Sequence, residues 1–390
     1  MKRLPSLLPF FLLAPLAGIA PAAQAEPGLF NLLVGTYTSG SSQGLYVYRF
    51  DSRKGEVSGP IRIFKASNPS HLTLTPDGRT LFVVNENNRD NPDDPVGRAT
   101  SYHFDPVSGR LQQISQTKTL GDEPTHASLS RDGHYLFVAN YSSKPEGSLA
   151  VLPVQDGGVL SPVTQIEFHQ PSHVDPERQA SSHVHGTTVS PDGQYLFATD
   201  LGADKVFAYR YDAASAERPL QPTETPYTPL PAGSGPRHMV FSSDGRFAYL
   251  TLEMSGQVVA FAHSQGMLKQ LQLYTLAPEG FSGDVGGGAL HLSGDDRFLY
   301  VLNRGDDNHI DVFARDPQEG TLSFVERRSV NGQEPREFAI DPTGRYLLVA
   351  NQGSNQLKVF PRDPASGRLG DETQSVDLSM PSDLKFVAVP

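Results

Sequence analysis

The sequence contains no cysteine and has fewer basic than acidic residues. Without cysteine there is no disulfide framework, so this chain of 390 residues must fold on its own hydrophobic core, as a large β domain can. The formal net charge is −11, and the 32 Lys and Arg residues form no cluster. An acidic chain without a basic patch argues against nucleic acid and anionic lipid as partners.

Long hydrophobic runs are also missing, except at the N-terminus. Basic residues at positions 2–3 precede an apolar stretch at 7–19, and Ala-Gln-Ala follows at 23–25. This order is typical of a cleaved secretory signal peptide at residues 1–25, and the stretch is too short to span a membrane. An uncleaved anchor is the alternative. Because no linker or amphipathic helix interrupts the remainder, we predict a periplasmic protein in which residues 26–390 form one domain without a membrane span.

One short phrase recurs six times: a small residue or proline, an Asp-Gly type of turn, and then an aliphatic strand. It occupies residues 75–85, 130–140, 190–200, 242–252, 293–303 and 341–351. Successive turns are 55, 60, 52, 51 and 48 residues apart, which is room for about four strands. A repeat of this size indicates an all-β propeller built from one four-stranded blade per repeat.

The two ends of the chain supply a seventh blade. Residues 31–37 match the second strand of a repeat but have no first strand before them, whereas residues 381–389 match a first strand and then the chain stops. Because the two fragments are complementary, we predict a seven-bladed propeller closed by the N- and C-terminal strands in one blade. The alternative is an open array of six blades with two loose ends.

When the repeats are aligned, two columns of equivalent positions place their side chains at one end of the ring, its mouth. The first lies eight positions after each turn, and its chemistry changes from blade to blade. Its members are Tyr37, Glu86, Tyr141, Leu201, Glu253, Arg304 and Gln352. The second column is the entry to the innermost strand, with two positions in each repeat. Its members are Ser70 and His71, Thr125 and His126, His185 and Gly186, Arg237 and His238, Gly288 and Ala289, Arg336 and Glu337, and Ser382 and Asp383. Such a mouth suits an anionic or oxygen-rich small molecule.

Some residues in these columns are expected to have a structural role and others a functional one. For His71 and His126, a hydrogen bond to the backbone of the neighbouring blade is the preferred role. A second group is interpreted as functional, because buried guanidinium and carboxylate groups are costly without partners. That group comprises His185, Arg237, Glu253 and Arg304.

The repeat between the second and third turns is the longest and is rich in histidine. It contains His169, His173, His183 and His185. Two histidines at positions i and i+2 of a strand face the same side and can bind a metal ion. No third ligand is evident, so we predict neither a metal nor another cofactor.

Four segments resemble a known family. They are PERQASSHVHG at 176–186, GPRHMVF at 235–241 with Glu253 following, YVLNRG at 300–305, and EPREFAIDPTGRYLLVANQ at 334–352. In this order they resemble the seven-bladed lactonases, which include the bacterial propeller-type 6-phosphogluconolactonases and the fungal carboxymuconate-lactonizing enzyme. The resemblance covers essentially all of residues 26–390 and implies the same catalytic group. One departure is Ala289, where family members commonly carry an acid, so that specificity differs or Asp284 substitutes for the acid.

Together these observations predict hydrolysis of a sugar lactone. His185 is the expected base, with Glu253 orienting it or acting as the base itself, and Arg237 and Arg304 would hold the developing oxyanion. Export favours glucono-1,5-lactone, because sugar phosphates are kept in the cytoplasm. The expected substrate-binding residues are Tyr37, His71, Glu86, His126, Tyr141, His183, His238, Arg336 and Gln352. The alternatives are a lactonizing enzyme of the carboxymuconate type and a non-enzymatic binding or scaffold propeller, and we expect a monomer or weak homodimer.

Overall fold

The computed structural model describes residues 28–145 and 147–390, which fold into seven antiparallel sheets arranged as the blades of a ring. The predicted signal peptide, residues 1–25, lies outside the described residues. We number the blades 1 to 6 in chain order from Pro69 and call the seventh the closing blade. In blades 1 to 6 the first strand in the chain lies innermost, against its neighbours around the axis, and the later strands step outward.

The strands of the first three blades are given from the axis outward. Blade 1 comprises Pro69–Leu74, Thr80–Asn85, Arg98–Asp105 and Arg110–Lys118. Blade 2 comprises Gly121–Leu129, Tyr135–Pro145 and Leu149–Gln155, with Val159–Leu160 and Gln165–Glu167 both paired to the third strand and a short 3-10 turn at Asp156–Gly158. Blade 3 comprises Val184–Val189, Tyr195–Asp200, Lys205–Tyr211 and Leu220–Pro229.

The other four blades each have four strands. Blade 4 comprises Pro236–Phe241, Phe247–Leu252, Gln257–Ser264 and Met267–Thr275. Blade 5 comprises Val285–Leu292, Phe298–Gly305, His309–Arg315 and Leu322–Ser329. Blade 6 comprises Pro335–Ile340, Tyr346–Asn351, Gln356–Pro361 and Gln374–Asp377. The closing blade comprises Pro381–Ala388, Leu29–Thr36, Gly44–Asp51 and Glu56–Lys65.

Tight turns join the innermost strand to the second strand and account for the repeated phrase. In blades 1 to 4 and 6 the turn glycine has a positive φ, for example +66° at Gly78, and in blade 5 Asp296 takes this role at +58°. In blade 2 the Asp132 carboxylate accepts the Ser130 hydroxyl at 2.6 Å and a backbone N–H at 3.0 Å. The same turn therefore recurs from blade to blade. The acid accepts hydrogen bonds from the small hydroxyl residue and the backbone, and the glycine supplies the positive φ.

The closing blade ties the two ends of the chain together. Pro381–Ala388 pairs antiparallel with Leu29–Thr36, with Leu33 opposite Lys385. The strand edges that an open ring would leave bare are thereby paired. The predicted all-β, seven-bladed propeller with terminal closure is confirmed, and the open six-blade alternative is wrong.

The hydrophobic core is divided among the interfaces between blades. Seven clusters of buried apolar side chains occur in the described residues, and each joins two neighbouring blades. The cluster between the closing blade and blade 6, for example, packs Leu32 and Tyr48 against Leu348. Because every blade buries both faces in this way, the ring is a stack of sheets bent into a circle.

Antiparallel pairing places the entry of each innermost strand beside the end of the second strand. In blade 4, Pro236 lies opposite Leu252. These points from all blades meet at one end of the ring, which we call the mouth, and the tight turns lie at the other end, the back face. No helix among the described residues is long and apolar enough to cross a membrane.

Candidate active site

Glu253, just past the second strand of blade 4, is the centre of a cluster of charged groups at the mouth. Its Oε2 lies 3.0 Å from Arg237 Nε and 2.9 Å from Arg304 Nη2. His185 Nε2 lies 3.7 Å from the same oxygen. The structure therefore brings together the four residues that the sequence singled out, although three different blades supply them.

A glycine allows the strands that carry His185 and Arg237 to approach closely. A Cβ atom on Gly186 would lie 2.7 Å from the Arg237 carbonyl oxygen and 2.8 Å from Thr199 Oγ1. The Thr199 hydroxyl donates a hydrogen bond to that carbonyl oxygen. Only a residue without a side chain fits here, so Gly186 sets the spacing between the imidazole and the guanidinium.

A third guanidinium reaches Glu253 from the long segment before blade 3. Arg178 Nη2 lies 2.6 Å from Glu253 Oε1 and 3.2 Å from the Tyr141 hydroxyl. The neighbouring Gln179 is buried and donates from Nε2 to the Leu201 carbonyl at 2.8 Å, which anchors the segment. Arg178 lies in a segment that resembles the family pattern, but it was not among the predicted site residues. The signal that could have identified Arg178 is its place in the same motif as His185, residues 176–186.

Burial and neighbouring charge set the protonation states. Burial lowers the pKa of His185 well below its usual value, and the Arg237 charge adds to this effect. Burial would raise the pKa of Glu253, but Arg304 and the other cations outweigh it, so the pKa falls well below the usual range. Burial, reinforced by Arg304, lowers the pKa of Arg237 to about 9. At neutral pH the site thus combines a neutral imidazole with an ionised carboxylate and charged guanidiniums.

A second carboxylate organises the opposite part of the mouth. Glu86 Oε2 accepts the Tyr37 hydroxyl at 2.8 Å and the Thr125 hydroxyl at 3.3 Å, and Arg336 Nη2 lies 3.5 Å from it. The Arg336 guanidinium lies over the Tyr37 ring, 5.0 Å from its centroid. Burial raises the pKa of Tyr37, so this hydroxyl is a neutral donor. Tyr37, Glu86 and Arg336, which the sequence predicted to bind substrate, therefore form one polar group together with Thr125.

A cleft at the mouth is lined by one arginine partner of each carboxylate, Arg304 of Glu253 and Arg336 of Glu86. It has a volume of about 560 Å³, and its lining includes Arg304, Glu334, Arg336 and Gln352. This volume is typical of a small-molecule site. A separate cavity of about 630 Å³, lined in part by Lys385, lies at the back face away from these groups.

Three of the predicted histidines lie in the axial channel below the mouth. The ring centroids of His71 and His126 are 4.0 Å apart, and those of His126 and His238 are 5.0 Å apart. The Ala127 N–H donates to His71 Nδ1 at 3.3 Å, and the Thr187 N–H donates to His126 Nδ1 at 3.4 Å. These hydrogen bonds to the next blade give His71 and His126 the structural role that the sequence favoured.

Tyr141 and His183 screen His185 from the outer side of the mouth. The Tyr141 and His183 rings are tilted by 31° with their centroids 4.5 Å apart, and the Tyr141 ring meets the His185 ring edge-on at 5.5 Å. His183 Nδ1 is hydrogen-bonded to the Tyr141 carbonyl. The two residues thus form a wall of the site next to the imidazole.

The histidine-rich segment does not converge on a common point. His169 is buried and bonds through its two ring nitrogens to Asp200 at 2.8 Å and the Tyr209 hydroxyl at 2.7 Å. Within residues 28–145 and 147–390, no three His, Asp or Glu side chains are arranged to hold a metal ion.

Ala289 occupies the position where an acid is common in the resembled family. It is fully buried in the apolar cluster between blades 5 and 6. Asp284, the possible substitute, is exposed, and its N–H donates to Asp306. Apolar packing therefore surrounds position 289, where relatives carry an acid.

The ring and the charged mouth define a class: a seven-bladed propeller with an imidazole, carboxylate and guanidinium site at its axis. The family described as lactonase, 7-bladed beta-propeller, matches residues 31–386. The chain belongs to this family, which confirms the sequence-based assignment.

Individual relatives and solved structures agree. The chain is 33% identical over 357 residues to a 6-phosphogluconolactonase of Bacillus subtilis, covering 91% of this chain and 97% of the relative. It is similar to the structure of the periplasmic gluconolactonase PpgL of Pseudomonas aeruginosa, with 66% identity, a TM-score of 0.91, and coverage of 93% of this chain and 100% of the other. A putative 6-phosphogluconolactonase of Bacteroides fragilis has 35% identity and a TM-score of 0.84, covering 94% of this chain and 100% of the other.

Proposed function

We propose that this lactonase hydrolyses glucono-1,5-lactone to gluconate in the periplasm, after export of the domain at residues 26–390. One observation carries the proposal. A neutral imidazole, His185, lies beside a carboxylate that is shared by guanidiniums at the axial mouth of a lactonase-family propeller. This set supplies both a base for water and positive charge for an oxyanion.

His185 is the general base in the proposed mechanism. Its neutral imidazole takes a proton from a water molecule as the water oxygen bonds to the lactone carbonyl carbon. When the tetrahedral intermediate collapses, the ring C–O bond breaks and the imidazolium returns its proton to the leaving alkoxide. The new carboxylic acid then loses its proton to solvent.

Glu253 is an orienting group rather than the base. Both of its oxygens accept guanidinium N–H groups, and its pKa is depressed, so it has little tendency to take a proton. Its charge 3.7 Å from His185 Nε2 stabilises the imidazolium that forms during the reaction. These contacts favour His185 over Glu253 as the base, a choice that the sequence left open.

Arg237 and Arg304 are the proposed oxyanion partners. With Arg178 they place three positive charges around one carboxylate, so an additional anion is favoured at this point. As the carbonyl oxygen becomes an oxyanion, hydrogen bonds from these guanidiniums strengthen, which lowers the barrier.

The cleft favours an unphosphorylated sugar. Its two guanidiniums already face carboxylates: Arg336 lies 3.5 Å from Glu86, and Arg304 lies 2.9 Å from Glu253 and 4.0 Å from Glu334. A phosphate dianion in the cleft would meet the half-exposed Glu334, which lines it, and would compete with Glu86 and Glu253 for the guanidiniums. The hydroxyl groups of a neutral lactone can form hydrogen bonds with both the carboxylates and the guanidiniums.

The test compares glucono-1,5-lactone with its 6-phosphate, using secreted enzyme with and without chelator. Product carboxylate is measured against spontaneous hydrolysis, with His185→Ala as the inactive control. The proposal expects faster turnover of the unphosphorylated lactone and loss of that rate in the variant. Rates no faster than spontaneous hydrolysis for both proteins would instead indicate a binding protein. Equal enzymatic rates for the wild type and His185→Ala would reject His185 as the base, and preference for the phosphate would reject the substrate assignment.

A further inference from the structure

A small chamber lies on the ring axis below the catalytic cluster. Its volume is about 10 Å³, which is room for one water-sized particle and far too little for a sugar lactone. Its lining includes Ser70, His71, Arg237, His238, Arg336 and Glu337. The chamber is therefore distinct from the cleft of about 560 Å³ in which substrate is proposed to bind.

The hydrogen bonds around the imidazoles identify which ring nitrogens carry protons. Arg237 Nη1, which can only donate, lies 3.2 Å from His238 Nδ1. The Ala127 N–H donates to His71 Nδ1 at 3.3 Å. Because each Nδ1 is an acceptor, each neutral ring has its proton on Nε2. His71 and His238 therefore present N–H donors, and they are unsuited to bind a metal ion through Nε2.

Two polar atoms of this lining have no protein partner. Within the part of the chain that the structure describes, neither Ser70 Oγ nor His238 Nε2 makes a hydrogen bond to another protein group. The Ser70 side chain is buried, at 3% exposure. His71 Nε2 has a carboxylate 4.0 Å away, in Asp383, which is beyond hydrogen-bond range. Unpaired buried polar atoms are costly, so these groups require a ligand.

We propose that the axial chamber binds a single monatomic anion of the halide type. The chamber is lined by His71 and His238, whose Nε2 atoms carry the protons, by Ser70, and by Arg237 and Arg336, against the carboxylate of Glu337 and that of Asp383 4.0 Å from His71 Nε2. A water molecule can accept only two hydrogen bonds, whereas a halide accepts several from any direction. The chamber is lined by more donor groups than one water molecule can accept from, which favours the anion.

The charges near the chamber agree with this assignment. Glu337 Oε1 is already engaged, since it accepts His291 Nε2 at 2.7 Å and the Phe338 N–H at 2.9 Å. Arg237 is almost completely buried, and burial together with Arg304 lowers its pKa to about 9. A bound anion offsets this disfavoured charge. Because Arg237 also bonds Glu253, the ion contributes to holding the guanidinium in the active site.

The first experiment is crystallographic and uses bromide as the probe. Crystals of the mature protein are soaked in sodium bromide, and anomalous differences are recorded at the bromine edge. The proposal expects a peak in the chamber within hydrogen-bond distance of Ser70 Oγ and His238 Nε2. Ordinary water density without an anomalous peak would overturn it.

The second experiment excludes binding that occurs only at crystal concentrations. Tm is measured against sodium chloride, with sodium methanesulfonate keeping the ionic strength constant. The wild type should show a rise that grows with the logarithm of the chloride concentration above Kd and reaches about 2 °C at roughly tenfold excess over Kd. Ser70→Ala should weaken the dependence, whereas Ser128→Ala, which removes a hydroxyl bonded to Thr187 on the next innermost strand, should keep it.

Each outcome of the second experiment decides the question. If both variants respond to chloride as the wild type does, the anion acts elsewhere and the proposal fails. If Ser70→Ala does not fold, the bromide occupancy of the wild-type chamber decides alone. Neither measurement depends on lactone turnover, so failure of the proposed substrate assignment would leave this site standing.

Discussion

Arg237 combines deep burial with contacts to two other groups of the site. Its side chain is 1% exposed, its Nε bonds Glu253, and its Nη1 bonds His238. A guanidinium buried this deeply persists only where anions or acceptors surround it, so its position indicates function more directly than its residue type does.

The first prediction concerns this guanidinium. Arg237→Ala should lower kcat for gluconolactone about 100-fold or more, because the developing oxyanion loses a charged donor. Arg246→Ala, which removes an exposed arginine from the turn of the same blade, should retain wild-type kcat. Steady-state kinetics measure both, and a fully active Arg237→Ala enzyme would contradict the role.

The second prediction concerns the axial histidines and acid stability. Burial lowers the pKa of His126 to about 3 in the folded protein, whereas in the unfolded chain it titrates near 6.5. Between these values the unfolded state binds more protons, so the free energy of unfolding decreases as the pH falls below 6.5. One such histidine contributes a slope of about 1.4 kcal/mol per pH unit.

His126→Gln should therefore reduce the slope of unfolding free energy against pH by about 1.4 kcal/mol per unit between pH 6 and 4. Urea unfolding at a series of pH values measures the slope. His134→Gln is the matched control, because that imidazole lies exposed at a back-face turn. Identical slopes for His126→Gln and wild type would show that His126 is already protonated or free to protonate in the fold.

At the scale of elements, the loops divide into those that build the ring and those that build the site. The tight turns at the back face repeat one chemistry, whereas the segment before blade 3 has no counterpart and carries Arg178 to Glu253. Repeated turns are readable from the sequence, since each contains its own hydrogen bonds. The path of a unique segment depends on distant anchors, such as the bond from Gln179 to Leu201.

The third prediction belongs to this segment. Arg178→Gln should lower kcat/KM for gluconolactone about 10- to 100-fold, because a charge-assisted contact to Glu253 and a donor to Tyr141 are lost. Arg178→Lys should recover part of the loss. Arg218→Gln, at an exposed arginine paired with Glu167, is the control and should behave as wild type. Unchanged kinetics in Arg178→Gln would limit Arg178 to a surface contact.

At the scale of the whole molecule, closure of the ring depends on the last strand in the sequence. Pro381–Ala388 pairs with Leu29–Thr36 and also lies against the innermost strands of blades 1 and 6. Its Asp383 carboxylate accepts the Leu72 N–H at 2.7 Å, so the strand joins blade 1 by a hydrogen bond as well as by packing. Closure is thus a cooperative contact of both chain ends with the rest of the ring.

The fourth prediction tests this closure. Deletion of residues 381–390 should abolish cooperative thermal unfolding and drive the protein into aggregates, since the edge of Leu29–Thr36 and the apolar cluster around Leu384 become exposed. Circular dichroism melts and sedimentation provide the readout. Deletion of Pro390 alone should leave Tm unchanged. A soluble, cooperatively folded truncation would show that the ring is stable without the innermost strand of the closing blade.

The sequence by itself determined the blade count, the terminal closure and the convergence of His185, Arg237, Glu253 and Arg304, because all of these follow from a repeat whose strand ends must share one edge. Only the tertiary structure decided how the groups at that edge pair. Arg178 joins Glu253, Thr125 and Arg336 join Glu86, and the axial imidazoles bond the next blade. Hydrogen bonds and ion pairs depend on distances of tenths of an ångström between residues far apart in the chain, and a repeat register specifies position only to the nearest residue.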